Sequence, residues 1–130
     1  MRRTRPRPLH ELRRALHHLY DPAALRQSAL AELLGVRSRE EREPVGSASL
    51  RRVLLKAIEA LKPEAGVPPQ ANAWRLYHVL VQRFAEQFGQ REAARDLALS
   101  IRQLRRQETL ALGVLADHLW VRYGLASRQR

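Results

Sequence analysis

QREAARDLALSIRQLRRQET, residues 90 to 109, divides into two helical segments around a short turn. The first segment runs from Gln90 to Leu97, Ala98, Leu99 and Ser100 make the turn, and a second helix starts at Ile101. Ala93 and Ala94 are small where two helices crossing at about 90–120° must come close. Leu97, Leu99 and Leu104 are spaced to meet beneath the turn. Ser100 has the side chain of a good N-cap, an oxygen able to accept a backbone N–H from the next helix's first turn. Arg102, Gln103, Arg105 and Arg106 are left outside, and these residue types suit guanine edges, adenine edges and phosphates. The pattern is that of a helix-turn-helix.

Working outward, Gln90, Ala93, Ala94, Leu97, Leu99, Ser100, Leu104 and Glu108 are followed by Ala111, Leu112 and Leu115. In this order they resemble the helix-turn-helix of region 4 of the sigma-70 family and its relatives among bacterial regulators, over roughly residues 74 to 123. The chain departs from that pattern at Ala98, where the turn usually has Gly, and at Gln107, where the recognition helix usually has an apolar residue. Ala can adopt a left-handed turn conformation at a cost of about 1 kcal/mol. The resemblance implies a recognition helix starting at Ile101 and a function in reading duplex DNA.

Charge agrees with an anionic partner. The 130 residues carry 24 Lys and Arg against 13 Asp and Glu, a formal net charge of +11, and nucleic acid is the first candidate. Almost all the basic residues are Arg, which suits bidentate contacts, although a GC-rich genome produces the same bias. No Cys is present, which excludes a disulfide framework and a thiolate zinc site and points to a reducing cytoplasm. No apolar run approaches the ~20 residues of a membrane span, and the basic start, MRRTRPRP, lacks the apolar stretch of a signal peptide.

Residues 1–35 read as a basic arm and a helical hairpin. Arg3 and Arg5 precede Pro6 and Pro8, which forbid a regular helix, and such an arm can follow phosphates or enter a minor groove. Leu9, Leu12, Leu16 and Leu19 form one stripe of a helix ending near Tyr20. Asp21-Pro22 stops it and caps a second helix, whose buried face is Leu25, Ala29, Leu30, Leu33 and Leu34 up to Gly35. Residues 36–48 have no apolar period and read as a linker. A helical domain then spans 49–124. Its first helix, from about Ser49 to Leu61, carries Leu50, Val53, Leu54, Ala57, Ile58 and Leu61. Its second, from about Ala71 to Phe88 and closed by Gly89, carries Trp74, Tyr77, Leu80, Val81, Phe84 and Phe88 as packing support for the helix-turn-helix. The recognition helix runs on to Gly124 and is long for a globular protein. The apolar second half of this helix, with Leu112, Leu115, Leu119 and Trp120, must be covered by the N-terminal hairpin or by the same helix of a second chain. Residues 125–130 read as a polar tail. The fold expected is an all-α helical bundle, with an N-terminal hairpin and a C-terminal helix-turn-helix that ends in the long helix.

Chemistry beyond binding finds no support in the residues. His10, His17, His18, His78 and His118 are scattered without an acidic residue that completes a metal set. Neither a phosphate-cradling glycine loop nor a nucleophile elbow is present. We therefore expect no enzymatic activity, no cofactor and no metal. The function expected is a cytoplasmic DNA-binding module of a bacterial transcription regulator. Arg102, Gln103, Arg105 and Arg106 would face the major groove from an N-cap at Ser100, and Arg91 and Arg95 would lie near the backbone. The rival is a helical interaction module that docks an acidic partner or dimerises through the last helix. RNA is a third option, weakened because the few aromatics fall on buried stripes.

Overall fold

The computed structural model describes residues 8–30, 34 and 46–123. It is all α, with no strand among the described residues, and no described helix is long and apolar enough to cross a membrane. The elements in order are α1 (Pro8–His17), α2 (Pro22–Arg26), α3 (Gly46–Ala60), α4 (Asn72–Leu80) continuing into a π-helical turn (Val81–Ala85), α5 (Gln90–Asp96) and α6 (Ile101–Arg122). Contacts divide the chain into one unit of Met1–Leu54 with Ala116–Arg130 and a second of Leu55–Leu115. This division cuts across α3 and α6.

In the first unit the expected stripe is buried at Leu12, Leu16 and, just past the end of α1, Leu19, joined by Ala15, whereas Leu9 in the first turn is 46% exposed. The helix gives way to a turn at His18, whose N–H is shared between the Arg14 and Ala15 carbonyls. Asp21 caps α2, with Oδ1 accepting the Ala24 N–H at 3.2 Å and Pro22 following in the first helical position. Contrary to expectation, α2 does not run to Gly35. It ends at Arg26, because Ser28 turns its hydroxyl onto the Leu30 N–H at 3.1 Å and so offers the backbone an alternative to continuing the helix. Leu25, Leu30 and Leu34 are nonetheless all buried, so their burial does not require one unbroken helix. The arm with Arg3 and Arg5, and most of the 36–48 linker, lie outside the described residues. α3 starts at Gly46, three residues before the expected Ser49.

In the second unit Ala57, Ile58, Val79, Leu80, Phe84, Ala93, Ala94, Leu104, Ala111, Leu112 and Leu115 are buried. Burying side chains of the Leu and Phe class stabilises by about 1.5–3 kcal/mol each. Trp74 ties the preceding loop down by donating its indole N–H to the Val67 carbonyl at 3.1 Å. Tyr77 donates its hydroxyl to Glu59 Oε1 at 2.9 Å. Burial, reinforced by the Glu59 carboxylate, raises the Tyr77 pKa above the usual phenol value.

The expected helix to Phe88 is instead an α-helix that widens into the π turn. The Glu86 N–H reaches back to the Val81 carbonyl and the Phe88 N–H to the Gln82 carbonyl, across Gln87 in the left-handed conformation (φ 60°). Gln87, not Gly89, therefore takes the left-handed position. Gly89 is extended and supplies the carbonyl that starts α5.

Leu112, Leu115 and Leu119 are at most 1% exposed within the single chain. Their covering comes from the chain itself, and a second copy is not required to hide them.

Candidate nucleic-acid interface

The helix-turn-helix is built by two successive capping devices. α5 is closed by a Schellman motif: the Leu99 N–H donates to the Ala94 carbonyl at 2.8 Å and the Ala98 N–H to the Arg95 carbonyl at 3.2 Å. This geometry needs a left-handed residue just past the helix, and Ala98 takes it with φ 58°. Two residues later α6 opens with a reciprocal capping box. The Gln103 N–H donates to Ser100 Oγ at 3.0 Å, and the Ser100 N–H donates to Gln103 Oε1 at 2.9 Å. Two otherwise orphaned backbone donors are satisfied at once, and Ser100 is the N-cap that its position predicts. Ala93, Ala94 and Leu104 are buried, while Leu97 and Leu99 are half-buried.

The capping box revises one expected role. Gln103 is exposed, but its carbonyl oxygen is folded back onto Ser100, so its amide is oriented by the cap instead of projecting freely as an adenine reader.

The remaining predicted cations lie outside. Arg102, Arg105 and Arg106 on α6 and Arg91 and Arg95 on α5 are all exposed. Among the described residues only Arg105 has a partner, the Gln90 amide oxygen at 3.4 Å, which is the outer limit of a hydrogen bond. Arg102, Arg105, Arg106 and Thr109 share the outward side of the first two turns of α6, since residues three and four apart are neighbours on a helix surface.

Beneath this surface lies a polar anchor that the sequence does not announce. Arg83, on the π turn, places Nε 2.5 Å from Glu108 Oε1 and Nη1 2.6 Å from the Phe88 carbonyl. The two side chains are 11% and 5% exposed, and Glu108 is the one charged residue among the described residues that counts as buried. One guanidinium thus joins the segment leading into α5 to the middle of α6. Gln82, its neighbour on the π turn, donates to the Asp96 carboxylate at the end of α5. Arg83 could be noticed in the sequence as a lone cation next to the apolar row of Val79, Leu80, Val81 and Phe84. Its partner stands 25 residues away, beyond the reach of any local pattern.

Two side-chain oxygens within the same unit, Gln82 Oε1 and Gln107 Oε1, are buried without a hydrogen bond. Gln107 as a whole is half-buried, so the defect is confined to its amide oxygen. No group of three or more His, Asp or Glu side chains able to hold a metal ion occurs among the described residues. Comparison with protein-family models, with curated proteins and with solved structures finds no match to this chain.

Proposed function

We propose that the chain is a DNA-binding module of a bacterial transcription regulator and that α6 enters the major groove. The observation that carries this reading is the set of exposed arginines on a doubly capped helix-turn-helix: Arg102, Arg105 and Arg106 on one side of α6, beside Arg91 and Arg95 on α5. Arg102 and Arg106 have no competing partner among the described residues, so their guanidinium forks are free for guanine edges. Arg91 and Arg95 contact phosphates and set the docking angle. Ser100 and Gln103 act one step back by fixing the first turn from which the arginines project. Arg3 and Arg5 add sequence-independent attraction, in line with the net charge of +11.

Selection of bound duplexes from a random pool tests the reading. The expected result is a defined motif, and Arg102→Ala should weaken binding to it by about 1–3 kcal/mol while relaxing preference at one position. Arg3→Ala should weaken all duplexes alike and lower the salt slope by about one charge. If the protein bound no duplex at low salt, the reading would fail. If the triple replacement of Arg102, Arg105 and Arg106 by Ala left the motif intact, α6 would not be the reader.

A further inference from the structure

The outward face of α6 changes character along its length. After the arginines, Arg106, Leu110, Gly113 and Asp117 succeed one another at spacings of four, three and four, the period of a coiled-coil seam. Leu110 is 49% exposed and Val114, beside the seam, 42%. A Cβ added at Gly113 would meet nothing within 4 Å. Glycine is disfavoured inside a helix, and no packing among the described residues explains it here. Arg106 and Asp117 are exposed and form no ion pair among the described residues.

We infer that this seam is a contact between two copies of the chain, packed antiparallel about a twofold axis beside Ala111 and Leu112. In that register position 110 of one copy faces 113 of the other, and 106 faces 117. Leu110 then fills the notch above Gly113 and Arg106 meets Asp117, each contact being made twice by symmetry. Parallel pairing would set arginine against arginine and aspartate against aspartate, a like-charge arrangement that is strongly disfavoured. The antiparallel copy is therefore the occupant that matches both the shape and the charge of the face. The seam is short, which makes the dimer a weak one. The net charge of +11 on each copy opposes association until salt screens it. The inference does not rest on the DNA reading and competes with it at Arg106, which pairs with Asp117 of a second copy only while α6 is out of the groove; its test contains no DNA.

Sedimentation equilibrium of the full chain at physiological ionic strength, over a series of concentrations, tests it. Wild type should associate, whereas Arg106→Asp and Asp117→Arg alone should each associate about tenfold or more weakly. An equimolar mixture of these two variants should recover association, since each heterodimer restores both ion pairs. Gly113→Leu should abolish association with no loss of thermal stability, because the added side chain points into open space in the isolated chain. Wild type that stays monomeric at the highest concentration, single variants that associate like wild type, or a mixture no stronger than its components would each overturn the inference.

Discussion

Among the described residues, the first unit buries only leucine and alanine, from Leu12 and Leu16 to Leu54 and Leu119. The second unit holds the buried Glu108, both non-glycine residues with positive φ, both unsatisfied amide oxygens and the π turn. The features that work against stability are thus concentrated around the helix-turn-helix. Strained backbone and buried polar groups persist only where surrounding structure over-determines them, and they cluster at functional sites. The contrast teaches that the first unit is specified by volume and pattern, whereas the second is specified by particular atoms.

The largest effect should come from breaking the polar anchor. Glu108→Ala leaves the mostly buried Arg83 guanidinium without its counter-charge, and chemical denaturation should show a loss of about 3–5 kcal/mol. Replacing both partners by apolar residues, Arg83→Met with Glu108→Leu, should recover most of that loss. Leu16→Ala in the first unit should cost a comparable 2–5 kcal/mol, roughly, but by leaving a cavity, so no second polar change rescues it. If the double apolar replacement were as damaging as Glu108→Ala, the anchor would be valued for its geometry and not only for its paired charge.

Gln107→Leu should act in the opposite direction. It removes a buried oxygen that lacks a partner, a defect that costs about 1–3 kcal/mol, and the gain should appear as a higher denaturation midpoint with an unchanged slope. Ala98→Gly should stabilise by about 1 kcal/mol, because glycine occupies the left-handed region without steric penalty. The same replacement at Ala23 in α2, where φ is helical, should destabilise. Those opposite signs would sharpen the contrast between strained and ordinary backbone.

The smallest effect concerns Tyr77. Its folded pKa is raised, first by burial and then by the Glu59 carboxylate, so the neutral phenol is favoured in the folded state. Its contribution to stability is fully present below the unfolded value of 10.0 and is lost as pH rises through the higher folded value. Tyrosinate absorbance followed together with unfolding should show this dependence in wild type and its absence in Tyr77→Phe.

What could be read in the sequence is what depends on near neighbours. Asp21-Pro22, Ser100 and the start of α6 at Ile101 are local caps, and the leucine stripe of α1 is a local period. The break in α2 at Ser28 was hidden because Leu25, Leu30 and Leu34 keep a helical register across it. The start of α3 at Gly46 was hidden by Pro44 and Gly46, which read as linker. Ser100 and Gln103 already formed a capping-box spacing, but the surrounding charge made Gln103 look like a base reader. The Arg83–Glu108 pair joins distant positions, and the outward placement of Leu110 and Val114 runs against the apolar pattern of α6. Neither can be inferred without knowing which side of the helix is covered.

The double grip of Arg83 has a consequence for motion. Because the same guanidinium holds the Phe88 carbonyl and Glu108, neither α5 nor the first half of α6 can detach without uncovering a buried ion pair. Small independent fluctuations of the two helices should therefore be suppressed, and local unfolding of this region should be all-or-none, which amide hydrogen exchange checks. The expected result is that backbone amides of both helices share one opening free energy instead of fraying helix by helix.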